Sequence, residues 1–250
     1  VASKLQIKLA HVEAGLRSYN MAMPEEVNRI LTDRISNLLF CPTNLAVKNL
    51  EAEGFKNFPN SKIKNVGDIM YEGAIHFSKQ SKKPSEFNNL NLESFILATV
   101  HRAETTDNIE NLKSVVEALN TINESKPVIV PIHPRTRSII KDNNIEVSFQ
   151  MINPVGYLEM IWLIQNCSLV ITDSGGLQKE AYFFEKRCLT TRTETEWVEL
   201  VESGNNVLVA YEVNKILSEV NAPRKFNPSG KLYGDGNTSE LIINALIEGS

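Results

Sequence analysis

The chain has 250 residues, a net charge of −4 and a hydrophobic content of 42%. That balance suits a globular protein of one large or two modest domains, and it argues against a nucleic-acid binder, which would normally show a basic stripe. No apolar run approaches the ~20 residues of a membrane-spanning helix, and no signal peptide is visible. Cys41, Cys167 and Cys188 have no paired or metal-ligand spacing, so they read as free buried thiols and the expected compartment is the cytoplasm.

In chain order, VASKLQ reads as the end of a helix already under way, and a leading segment is expected in front of it. Residues Ile7 to Val12 read as a strand ending in HVEAGLRS, which places His11, Glu13 and Arg17 where functional residues gather in open α/β sheets. Pro24, followed by Glu25 and Glu26, suits a helix N-terminus, with Ile30, Leu31, Ile35, Leu38 and Leu39 as its expected apolar face. Thr43 is the expected cap of a second helix that ends at Gly54, and Ile63 to Val66 reads as a short strand leading into Gly67 and Asp68.

The polar stretch Ser81 to Asn91 is the expected linker between two α/β units, 1–82 and 83–235. After it come a strand over Phe95 to Val100, an amphipathic helix over Ile109 to Ile122, a strand over Val128 to Ile132, a loop through His133, and a helix over Tyr157 to Gln165. A strand at Cys188 to Thr191, the loop RTETEW, a helix around Leu200, a strand at Val207 to Val209 and a last helix over Leu241 to Ile247 complete the pattern. Strands alternating with helices imply parallel sheets covered on both faces.

The most informative stretch is SLVITDSGGLQKEA, residues 168–181. It reads as a buried strand (Leu169 to Thr172), a Ser174-Gly175-Gly176 turn and a helix start. The first N–H groups of such a helix lack intrahelical partners and sit at its positive end, and glycines let an anion approach the backbone. A diphosphate is one occupant; a plain connection capped by Ser174 is the other reading. Glu180 lies on the same rim, with a carboxylate suited to two ribose hydroxyls. His11 and Glu13 share one face of a strand, yet no further ligand completes a metal set. His76 reads as structural.

The runs HVEAGLRS, MPEEVNRILTD, VHRAET, TDSGGLQKEA, RTETEWVELVESG and YGDG, spread over nearly the whole chain, resemble the non-hydrolysing UDP-N-acetylglucosamine 2-epimerases. The resemblance implies a GT-B-type α/β fold of two Rossmann-like domains facing a cleft, the first incomplete at its N-terminus. Residues 236–250 would form a helix crossing back to that first domain. It implies interconversion of UDP-GlcNAc and UDP-ManNAc for surface polysaccharide precursors, by a homodimer using no nicotinamide, flavin or metal. By the same resemblance Glu13 and Glu25 are acid/base carboxylates and His101 is the leaving-group partner. Ser174, Gly175 and Gly176 fall on the diphosphate turn and Glu180 on the ribose. Arg17, Arg102, His133 and Arg192 lie near substrate.

The family's first domain also brings an aspartate and an arginine from upstream of Val1, so little or no turnover is expected of these 250 residues alone. Four other readings stay open: a 2-epimerase of a UDP-2,3-diacetamido uronic acid, a hydrolysing epimerase, a GT-B glycosyltransferase, and a non-catalytic UDP-sugar binding module.

Overall fold

The computed structural model describes residues 1–89, 94–228 and 230–249. It divides into two compact units, residues 1–75 with 229–250, and residues 76–228.

The first unit opens with a 3₁₀ turn at Ser3–Leu5 and continues through β1 (Ala10–Val12), α1 (Pro24–Ile35), β2 (Leu38–Cys41), α2 (Asn44–Ala52), β3 (Lys62–Asn65) and α3 (Ile69–Ser78), whose last turn lies past the division. Its three strands pair in parallel in the order β1-β2-β3. Leu38 and Leu39, expected on the apolar face of α1, instead begin the central strand. Helix α1 stops at Ile35 because Ser36 adopts an extended backbone, and the run LLFC is almost wholly buried between its neighbours. Leu31 and Ile35 are correspondingly exposed. A short apolar run that continues a helical spacing does not reveal whether it is strand or helix.

Side chains of β2 alternate between faces, as a pleated strand requires. Leu39 and Cys41 pack on Ala46, Leu50 and Phe55, while Phe40 packs on Val66 and on Ala245 of the last helix, α11 (Thr238–Gly249). Thr43 caps α2 by accepting a hydrogen bond from the Ala46 N–H at 3.2 Å.

The second unit follows the expected alternation: β4 (Ile96–Thr99), α4 (Ala103–Thr106), α5 (Ile109–Asn123), β5 (Val128–Pro131), α6 (Pro134–Asp142), β6 (Gln150–Ile152), α7 (Tyr157–Asn166), β7 (Leu169–Thr172), α8 (Gly175–Phe183), β8 (Cys188–Thr190), α9 (Val198–Glu202), β9 (Asn206–Leu208) and α10 (Val213–Asn221). The sheet is parallel throughout, in the order β6-β5-β4-β7-β8-β9. Ile96 and Ala98 face α5 and α10 with Val130, Ile171 and Leu189; Leu97 faces the opposite core with Ile129 and Val170, against α7 and α8. Burial on both faces explains why these strands read as unbroken apolar runs.

Helices α4, α6 and α10 and strand β6 were not expected. His133 is not in a plain loop: it caps α6, its Nδ1 accepting from the Arg135 N–H at 3.3 Å. Within the stretch read as a linker, residues 85–89 form a 3₁₀ turn whose Phe87 is buried against Phe95 and Trp162, with ring centroids 5.2 and 5.5 Å away. Leu90 and Asn91 of that stretch lie outside the described residues. Cys41, Cys167 and Cys188 are free and buried. Among the described residues no helix is long and apolar enough to cross a membrane.

Removing the Phe87 ring empties a packed site beside Trp162. Phe87→Ala is expected to lower the stability of the second unit by ~3–5 kcal/mol, measured by denaturant unfolding followed through tryptophan fluorescence.

Candidate functional site

Numbered from its first strand, the six-stranded sheet has the order 3-2-1-4-5-6, so β4 and β7 lie side by side and their connections leave in opposite directions. Such a switch point opens a crevice beyond the carboxyl ends of the two strands. Thr99 and Thr172 close these strands and share a hydrogen bond of 2.6 Å between hydroxyls. Thr172 Oγ1 also accepts from the Ser174 N–H at 2.9 Å. Beyond them, Asp173 is wholly buried. Its Oδ2 accepts from the N–H groups of His101 and Arg102, both at 2.9 Å, and His101 Nδ1 lies 3.2 Å from its Oδ1.

A pocket of about 300 Å³ occupies this crevice. His101, His133, Ser174, Gly176 and Glu180 line it together, and Pro154, Val155 and Met160 give it an apolar wall. Ser174 Oγ caps α8 by accepting from the Leu177 N–H at 3.4 Å, a long bond. The capping reading and the anion reading of this turn are compatible, because one side chain satisfies only one of the orphan N–H groups.

Glu180 lines the pocket at 8% exposure. Burial pushes its carboxyl up to about 7, only partly offset by a hydrogen bond with the Tyr157 hydroxyl and by the charge of Lys179. Tyr157 is pushed up in turn to about 12 by burial and by the neighbouring carboxylate. Tyr157 had not been singled out in the sequence; its only signal there is its place at the start of a helix one glycine after Val155.

Behind the glycine turn, the loop RTETEW fixes the start of α8. Trp197 Nε1 donates to the Gly175 carbonyl at 2.9 Å, Thr195 Oγ1 donates to Gln178 Oε1 at 2.7 Å, and Gln178 Nε2 donates to the Ser174 carbonyl at 3.2 Å. The buried Lys179 ammonium sits 4.2 Å from the Trp197 ring centroid. Gly175 leaves room for Glu196: a Cβ there would lie 2.6 Å from its Oε1, so the carboxylate would have to shift. Arg192 is buried, with Nη1 3.2 Å from Glu196 Oε2, and it does not line the pocket. Arg102 has its guanidinium 3.8 Å from Glu104.

The first unit holds the remaining candidates. Glu13 directly follows β1 at φ +67°, a left-handed conformation uncommon outside glycine and recurrent at functional sites. The strand-end loop around it is organised by Asp33, which is fully buried. Asp33 Oδ1 lies 2.6 Å from His11 Nδ1, and Oδ2 accepts from the Gly15 N–H at 3.2 Å and lies 2.8 Å from Arg17 Nη1.

Arg17 also donates to Glu53 at 2.5 and 2.9 Å, so its guanidinium is held inside the unit by two carboxylates. Burial alone would lower its pKa, but Glu53 and Asp33 together raise it. The two glutamates at the head of α1 differ. Glu25 is exposed, whereas Glu26 is buried and accepts from the Ser18 and Tyr19 N–H groups at 3.0 and 2.9 Å.

A six-stranded parallel sheet with a glycine turn at its switch point and a buried carboxyl on the rim defines a doubly wound α/β protein. A family model described as UDP-N-acetylglucosamine 2-epimerase matches residues 1–247. A UDP-2,3-diacetamido-2,3-dideoxy-D-glucuronate 2-epimerase of Pseudomonas aeruginosa is 50% identical over 250 residues, covering 99% of this chain and 70% of the relative. A UDP-N-acetylglucosamine 2-epimerase of Methanocaldococcus jannaschii is 41% identical, covering 100% and 71%. The crystal structure of that M. jannaschii enzyme in complex with UDP-GlcNAc and UDP matches with a TM-score of 0.88, over 99% of this chain and 71% of the other. The chain therefore belongs to the UDP-N-acetylglucosamine 2-epimerase family, a family of isomerases, and has its GT-B-type α/β fold. It spans about 70% of the length of these relatives.

The raised Glu180 pKa has a definite sign. Between pH ~4.5 and ~7 the unfolded chain gives up this proton while the folded chain keeps it, so the group's contribution to stability falls as pH rises. Glu180→Gln removes that loss. Relative to the parent, the variant is expected to gain roughly 2–4 kcal/mol between pH 4.5 and 8, read from paired denaturation curves at the two pH values.

Proposed function

We propose that this chain inverts C2 of a UDP-2-acetamido sugar by eliminating UDP and adding it back. The observation that carries the reading is the clustering of the Ser174-Gly175-Gly176 turn, Glu180 and His101 at the sheet's switch point, in a chain whose family is named for this reaction. The N–H groups at the head of α8 hold the diphosphate, Glu180 accepts from the ribose hydroxyls, and the wall of Pro154, Val155 and Met160 takes the uracil.

The C2 proton of the sugar is not acidic by itself. Departure of UDP from C1 builds positive charge on the ring, and a carboxylate can then take the C2 proton as the C1–O bond breaks. The products of this half-reaction are a 2-acetamidoglucal and UDP. Delivery of a proton to the other face of C2, with the UDP oxygen returning to C1, completes the inversion. Glu13 and Glu25 are the proposed acid and base, and His101 stabilises the charge that develops on the departing diphosphate.

Two sugars fit this scheme. UDP-N-acetylglucosamine is the substrate in the family's description. UDP-2,3-diacetamido-2,3-dideoxy-D-glucuronate is the sugar named for the P. aeruginosa relative at 50% identity, and a UDP-N-acetylglucosamine 2-epimerase homolog of Methanococcus maripaludis stands close behind at 47%, so both sugars are tested.

Each sugar nucleotide, incubated in deuterated water with this chain completed by the upstream residues of a relative's first domain and followed by NMR, tests both levels of the proposal. Deuterium at C2 with a new manno-type signal from at least one of the two sugars is the expected result, and the sugar with the higher kcat/KM identifies the substrate. Nucleotide binding with no deuterium at C2 of either sugar would contradict it, and free UDP with a released sugar would replace epimerisation by hydrolysis.

A further inference from the structure

Asp173 has no role in the scheme above, yet its carboxylate is held on the inside of the second unit at the rim of the pocket. It is fully buried, and a buried charge is tolerated only where hydrogen bonds replace water. Oδ2 meets that condition with the N–H groups of His101 and Arg102, both at 2.9 Å. Oδ1 does not: it is inaccessible and has no hydrogen bond of good geometry. The ring nitrogen His101 Nδ1 stands 3.2 Å from it, close enough for a small ring rotation to supply the missing donor.

The other edge of the ring belongs to a residue that lines the pocket. Three features of one side chain thus converge on His101: its backbone is pinned, its ring is drawn to one side, and the oxygen that draws it lacks a donor.

We propose that Asp173 is a positioning residue for His101, anchoring the start of the 101–102 loop and holding the imidazole with its hydrogen on Nδ1, so that Nε2 is the nitrogen presented to the pocket. A carboxylate behind an imidazole sets tautomer and orientation without itself exchanging a proton. In the proposed reaction, Nε2 would then face the diphosphate of a UDP-sugar in one fixed direction; only this last step rests on the function proposed above. An asparagine at 173 can still accept from the two N–H groups through its carbonyl. Its amide nitrogen, however, presents hydrogens to Nδ1 where the carboxylate presented an acceptor, which favours the opposite tautomer.

The test is a ¹⁵N spectrum of the histidine rings at about pH 9, where an ordinary imidazole is neutral, with His101 assigned by its loss in His101→Ala. The expected result is the Nδ1–H tautomer in the parent and a shift toward Nε2–H in Asp173→Asn. A parent spectrum dominated by Nε2–H overturns the proposal, as does a folded Asp173→Asn with an unchanged tautomer. If Asp173→Asn fails to fold, the parent spectrum decides alone.

A second arm measures UDP binding by calorimetry. Asp173→Asn is expected to weaken it roughly tenfold, the size of one charge-assisted hydrogen bond, and to add nothing further in the His101→Ala background. An equal further loss in that background would show that Asp173 acts on the fold and not through His101. Absence of UDP binding by the parent would overturn the proposed function while leaving the tautomer result to judge Asp173.

Discussion

The N–H groups at the head of α8 cannot be satisfied by the helix itself, and the rest of the second unit is arranged around where the sheet leaves them. They emerge from a strand buried on both faces, at the one place in a 3-2-1-4-5-6 sheet where neighbouring connections part. Everything nearby serves to keep that place open and rigid. Gly175 makes room for Glu196, Trp197 and Gln178 brace the turn from behind, and the two terminal threonines tie β4 to β7. The pocket is therefore a consequence of topology, refined by side chains that mostly do not face it.

Buried carboxylates recur as the device that shapes strand-end loops. In the second unit Asp173 gathers two backbone N–H groups; in the first, Asp33 gathers His11, Gly15 and Arg17, and Glu26 gathers the Ser18–Tyr19 turn. Each carboxylate lies next to a residue of the proposed reaction, His101 in one unit and Glu13 or Glu25 in the other. Because such a group loses its hydration on folding, its loop is over-determined: moving the loop would leave a buried charge without partners. Glu180 is the exception that suits a ligand. It is buried beside the Tyr157 hydroxyl, and its pKa is raised because burial outweighs that hydrogen bond and the charge of Lys179.

Much of this was legible from residue pattern alone, and the failures have physical causes. The alternation of strand and helix in the second unit, the cap at Thr43 and the strand–turn–helix at 169–183 follow from local signals that reach only a few residues. Strand β2 was hidden because LLF continues the spacing of α1, and only the extended backbone at Ser36 separates them. Helix α6 was hidden because its nine residues carry little beyond Ile139 and Ile140 to mark an apolar face. The lining of the pocket was legible where it is local, as at Ser174 and Gly176, and side-chain surroundings were opaque where they depend on distant pairing. Arg17 looks available in the sequence, yet Asp33 and Glu53 hold it across 16 and 36 residues of chain. Likewise nothing near Glu180 in sequence announces Tyr157, which reaches it from a different helix.

The central claim is that the head of α8 is built for a diphosphate and Glu180 for the sugar next to it. A crystal structure of this chain with UDP bound tests it without any assumption about turnover. The account requires phosphate oxygens within hydrogen-bonding distance of the Gly175 or Gly176 N–H groups and ribose hydroxyls on the Glu180 carboxylate. UDP seated elsewhere, or seated here with Glu180 still turned to Tyr157 and away from the ribose, would contradict it.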